Sequence, residues 1–154
     1  MKETPPPSNE KDFAEWIADF ISTVDYSELI TVDKGSPHIR PMIYVSEGLN
    51  IYMVTANNST KLQQIKNNPN VSVIIIKSLS EVSETKEVII SGKAEEVQSQ
   101  QQREYIFKLF QTKPKTYQEW LGKESDYTVL KITTIELKYF DYSTGDSLPR
   151  ILTF

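Results

Sequence analysis

The sequence has 154 residues, one domain's length, and its 38% hydrophobic and 25% charged content excludes a disordered chain. A net charge of −4, with no basic patch, excludes nucleic acid as the main partner. Cysteine is absent, which rules out disulfides and thiolate chemistry, and a single histidine, His38, argues against a histidine-based metal centre.

No run approaches transmembrane length and the N-terminus lacks a signal-peptide pattern, so a soluble cytoplasmic protein with no membrane partner is expected. Residues 1–10, with Pro5-Pro6-Pro7, read as a disordered tail before a single domain over 11–154. From Phe13 the pattern turns helical, because Phe13, Trp16, Ile17, Phe20, Ile21 and Val24 follow the i, i+3, i+4, i+7 rule. This stripe is expected to cover one end or side of a sheet structure.

Leu29 to Val32 reads as the first strand, and Asp33-Lys34-Gly35-Ser36 turns it into a second. Over Pro37 to Val45, His38, Arg40, Met42 and Tyr44 share one face, with Ile39, Pro41, Ile43 and Val45 on the other. One of these faces is expected to be buried. Glu47-Gly48-Leu49-Asn50 supplies turn chemistry, and Ile51 to Thr55 returns as the other arm of an antiparallel hairpin.

Ala56 to Thr60 is small and polar, and Thr60 with Gln63 three residues later fits a capping box. The short helix that follows carries Leu62 and Ile65 inward and stops at Asn67-Asn68-Pro69. Val71 to Ile76 is apolar on nearly every residue, as a strand buried on both faces would be. Lys77 to Lys86 reads as an exposed loop, and Glu87 to Ala94 as a strand in which Gly92 marks a bulge or a close approach.

Gln98 to Gln111 is predicted helical, with Tyr105, Ile106, Leu109 and Phe110 as its apolar face, and Tyr117 to Gly122 as a single helical turn. Two final strands, Tyr127 to Ile132 and Ile135 to Tyr142, complete the set. The tail from Leu148 to Phe154 is assigned to surface packing, with packing on a partner subunit as the alternative. Six or seven strands without regular β-α-β alternation point to a mainly β fold, a closed or partly closed antiparallel barrel with inserted helices.

The chemistry concentrates between His38 and Lys61. A helix N-terminus leaves backbone N–H groups unpaired and carries partial positive charge, which suits an anion. Here it comes with hydroxyls at Thr55, Ser59 and Thr60 and an ammonium at Lys61, and Arg40 on the neighbouring strand is placed to reach the same point. A Ser or Thr before a helix is ordinarily only a cap, and a first-turn Lys is ordinarily solvated. Together, however, a Lys at this end of the helix dipole calls for an anion to compensate it.

The run Pro37-His38-Ile39-Arg40-Pro41-Met42, then Tyr52-Met53-Val54-Thr55, Ser59-Thr60-Lys61 and Asn68-Pro69-Asn70-Val71-Ser72-Val73, resembles the flavin-binding split-barrel family typified by pyridoxamine 5'-phosphate oxidase. The likeness is greater to that family's short, general-stress-protein-like branch, and it extends from about Phe13 to Tyr142. It implies a six-stranded split barrel flanked by helices, pairing as a homodimer with flavin mononucleotide (FMN) across the interface. By the same resemblance, Arg40 and Lys61 hold the flavin phosphate. Ser59 and Thr60 are further phosphate ligands, Pro41, Met42 and Ile43 run along the ring, and Val54 and Thr55 close the site.

The activity so implied is that of a flavin-dependent oxidoreductase of unassigned substrate, with no catalytic residue named and no metal. Oxidation of pyridoxamine phosphate itself is doubtful, because that enzyme's Arg-x-His element has no counterpart in Tyr139 to Arg150, which holds one arginine and no histidine. A non-catalytic flavin-binding or sensor module is the alternative. A deazaflavin or haem binder is the third reading, haem being disfavoured because His38 is the only imidazole and shares the face of Arg40.

Overall fold

The computed structural model describes residues 4–77, 81–114 and 121–154. Helix α1 spans Glu10–Ser22, strands β1 and β2 Tyr26–Asp33 and Ser36–Glu47, β3 Asn50–Ala56, α2 Thr60–Asn67 and β4 Asn70–Lys77. Then come β5, Lys86–Glu96; α3, Gln100–Phe110; β6, Tyr127–Asp141; and β7, Arg150–Thr153. No helix among the described residues is long and apolar enough to cross a membrane.

The strand order is β3-β2-β1-β4-β5-β6-β7, every pairing is antiparallel, and β3 also pairs with β6. That extra pairing closes six strands into a barrel, as the sequence predicts, and removes the open edges a flat sheet would carry. The inward residues of each strand (Leu29, Tyr44, Met53, Val73, Ile90 and Ile132 among them) form one core. Helix α1 adds Phe13, Ile17, Phe20 and Ile21 to it, confirming the expected stripe. Asn9 caps α1 by accepting from the Asp12 backbone N–H at 2.9 Å. A smaller apolar cluster outside the barrel, with Tyr52, Ile106, Phe110 and Val129, seats α3.

Several sequence expectations are corrected. The two final strands are one continuous strand, β6, which bulges at Ile135 without breaking: Ser91 pairs with Glu136 and the next residue, Gly92, pairs with Thr134. Gly92 lies opposite this bulge and is the close approach, not the bulge itself: a Cβ there would lie 2.5 Å from the Thr133 carbonyl oxygen. The C-terminal tail contains a seventh strand, with Leu152 buried opposite Leu137. In β7, Arg150 lies 3.6 Å from the Phe13 ring centroid and donates to the carbonyls of Pro7, Ser8 (2.8 Å) and Asn9 (3.2 Å). These contacts tie the approach to α1 onto the last strand.

Strand β4 is buried on one face only, since Ser72 and Ile74 are half-buried and Ile76 is 45% exposed on the outer side. Tyr105 of α3 faces solvent, outside the apolar face assigned to it. Of the predicted turn at Tyr117 to Gly122, residues 117–120 lie outside the described residues, and Leu121 and Gly122 are not helical. In the predicted loop, residues 78–80 lie outside the description, and Val82–Glu84 forms a single exposed turn.

Gly92→Ala is expected to lower unfolding free energy by about 1–3 kcal/mol, the range for a side chain forced into a filled space. Urea denaturation checks this, and an unchanged midpoint would contradict the close packing of β5 on β6.

Candidate functional site

Strand β2 changes neighbours half-way along its length. From Ser36 to Ile43 it pairs with β1, and from Tyr44 to Glu47 with β3. Beyond Met53, β3 leaves β2 and follows β6 as far as Ala56. A gap opens between β2 and β3, and among the described residues the β2 edge turned away from β1 has no strand partner over Ser36 to Ile43. Pro37 and Pro41 fall on this stretch, as an unpaired edge tolerates. The expected burial of one face of this segment holds only from Met42 onward: Ser36 to Ile39 and Pro41 are exposed, and Arg40 alone among them is half-buried.

Arg40 stands opposite Leu29 on the inner side and reaches α2. Its Nη2 donates to Gln64 Oε1 at 2.8 Å and to Thr31 Oγ1 at 3.0 Å. Its Nη1 is buried and has no hydrogen-bond partner. Lys61, in the first turn of α2, donates from Nζ to Thr55 Oγ1 at 2.9 Å, and Thr55 in turn donates to Ser59 Oγ at 3.0 Å. Neither cation is paired with a carboxylate among the described residues.

The electrostatics follow from this crowding. Burial lowers the Lys61 ammonium below the ordinary lysine value, and the charge of Arg40 lowers it further. Burial alone lowers Arg40 from its usual range. Two converging cations without an acid are an arrangement that a bound anion relieves.

The helix start differs from the predicted capping box. Ser59, not Thr60, holds the N-cap position, and its hydroxyl makes no capping bond because it is engaged by Thr55. Gln63 Nε2 donates to Asn67 Oδ1 at 3.4 Å instead of reaching back to the cap. The first-turn N–H groups of α2 are thus left without a side-chain cap beside Lys61.

The structure brings Arg40, Thr55, Ser59 and Lys61 together around the gap, with Thr60 exposed at its rim as the first helical residue. Met42 packs against the main core, whereas Ile43 and Val54 pack against the outer cluster under α3, and Pro41 is exposed. The residues that the resemblance assigns to the ring therefore divide between the two faces of the barrel wall. Sequence reading missed Thr31 and Gln64. The signal was there: a glutamine on the buried face of α2 between Leu62 and Ile65 has to find a polar partner.

The pyridoxamine 5'-phosphate oxidase family model matches residues 13–141. General stress protein 26 of Bacillus subtilis (strain 168) is 36% identical over 67 residues, 44% of this chain and 48% of that protein, so the chain matches about half the length of this curated relative. An FAD-binding protein from Mesorhizobium loti superposes with a TM-score of 0.68 at 17% identity, covering 79% of this chain and 88% of that one. A haem-binding protein from Mycobacterium smegmatis gives 0.76 at 16% identity, covering 97% and 60%. At these identities the two structures share the fold alone.

A pH dependence follows from the lowered Lys61 value. An anion raises the pKa of the lysine it contacts, so binding takes up protons between the free and the bound value. Affinity for an anion at this site is therefore highest below the lowered Lys61 pKa and falls as pH rises through it. Titration calorimetry with a phosphate monoester across alkaline pH measures this fall, which Lys61→Gln should abolish along with most of the affinity.

Proposed function

Because the chain belongs to the pyridoxamine 5'-phosphate oxidase family, we propose that the gap between β2 and β3 holds the phosphate of FMN and that the protein is a flavin-dependent oxidoreductase. The observation that carries this reading is the buried, unpartnered Nη1 of Arg40 beside Lys61. A phosphate monoester carries nearly two negative charges, and two cations with an uncapped helix N-terminus complement it.

In this reading Arg40 and Lys61 bind the phosphate, with Ser59 and Thr60 adding hydroxyl donors. The unpaired β2 edge at Pro41, Met42 and Ile43, together with Val54 and Thr55, lies along the ring and orients it through backbone groups. The flavin, when bound, supplies the electron-transfer chemistry, so the protein needs no nucleophile of its own. Flavin is preferred to haem because the single imidazole, His38, is exposed on the open stretch of β2.

Pyridoxamine phosphate is not proposed as the substrate. The one arginine of the C-terminal region, Arg150, is committed to the carbonyls before α1 and to the Phe13 ring, and is not offered to a second phosphate.

A homodimer is part of the proposal. Tyr26, Ile39 and Ile76 are 49%, 62% and 45% exposed on the outer face, with Ile30, Ile43, Ile74 and Ile89 half-buried among them. This apolar face continues into the unpaired β2 edge, and a second copy seated there would bury it and cover the flavin. The cytoplasm remains the proposed location.

The purified protein should show flavin absorption bands, or gain them and thermal stability on adding FMN. Arg40→Ala with Lys61→Ala should weaken FMN binding by a few kcal/mol, given about 1.5–3 kcal/mol for each charge-assisted bond. A colourless protein indifferent to added flavin would contradict the function, and undiminished affinity in the double variant would contradict the site. Turnover of reduced nicotinamide with electron acceptors separates an enzyme from a non-catalytic module.

Sizing by light scattering should give a dimer that Ile39→Asp converts to a monomer with weakened FMN binding. A wild-type monomer at micromolar concentration would refute the shared interface.

A further inference from the structure

We infer that Gln64, together with Thr31, positions the Arg40 guanidinium for the phosphate and so sets the preference for a phosphorylated over an unphosphorylated flavin. This rests on the FMN reading above.

Gln64 is 5% exposed and Thr31 is fully buried. A polar side chain so placed is costly without partners, and here each finds the other and Arg40. Thr31 Oγ1 donates to Gln64 Oε1 at 2.7 Å and accepts from Arg40 Nη2 at 3.0 Å, while Gln64 Oε1 accepts from the same Nη2 at 2.8 Å. Nη2 thereby meets two acceptors that lie side by side.

The guanidinium is planar, so fixing Nη2 fixes the direction of Nη1, which is left buried and unpartnered. Arg40 would otherwise be a long side chain on a strand segment exposed on both sides of it, with many rotamers open. The partners are also neutral. A carboxylate in place of Gln64 would hold the same nitrogen but cancel the charge that the phosphate needs, whereas an amide and a hydroxyl orient Arg40 and leave its charge unspent. Gln64 and Thr31 are thus positioning residues that act through Arg40.

The test compares FMN with riboflavin, which has the same ring and no phosphate, by fluorescence titration of the full chain. Gln64→Leu and, separately, Thr31→Val should each weaken FMN binding roughly tenfold and leave riboflavin binding unchanged. In an Arg40→Ala background, Gln64→Leu should have no further effect on FMN. A residue that merely stabilises α2 would lower both ligands alike and would do so in that background too. The two variants guard against a failure to fold at either site, with unfolding curves as the check.

The inference is overturned if both folded variants bind FMN like the parent, or lose FMN and riboflavin equally. If the parent binds FMN through Arg40 but is indifferent to Gln64 and Thr31, only this inference falls. If the parent does not prefer FMN to riboflavin, the phosphate reading falls with it.

Discussion

A strand in a closed barrel needs a neighbour on each side, and β2 has only one at a time. Its first half is held by β1 and its second by β3, because β3 must turn to β6 for the barrel to close. The gap this leaves is the price of closure, and the features of the site follow from it. The unpaired edge accommodates Pro37 and Pro41, and Arg40 reaches inward to α2.

The side chains gathered at the start of α2 are positively charged. Arg40 and Lys61 approach one another in a half-buried setting, and hydroxyls and an amide, not carboxylates, serve as their partners. An ion pair would have stabilised the empty site and closed it to ligands. Neutral partners hold the cations in place while preserving their demand for an anion, which a carboxylate partner would have met.

The barrel was legible in the sequence because alternation and turn residues are local signals. The predicted strand segments fall on observed strands, and the stripe from Phe13 to Ile21 falls on the core. The misreadings share one cause, the neglect of tertiary partners. The predicted break between Ile132 and Ile135 is a bulge at Ile135, and β6 continues through it because β5 pairs with it on both sides. The strand at Arg150–Thr153 is too short to announce itself and exists because β6 offers it an edge. Thr55, Ser59 and Lys61 were legible because spacing brings them to one helix start, and Arg40 because the predicted strand pairing sets it beside them. Thr31 and Gln64 were not, because 33 residues separate them and only the fold makes them partners.

The central claim is that the gap between β2 and β3 is a phosphate site for FMN. The most direct measurement is a crystal structure grown with FMN. A phosphate oxygen is expected within ~3 Å of both Arg40 Nη1 and Lys61 Nζ, with the ring along the unpaired edge at Pro41 to Ile43. Flavin bound elsewhere on the barrel, or bound with its phosphate turned away from these two cations, would contradict it.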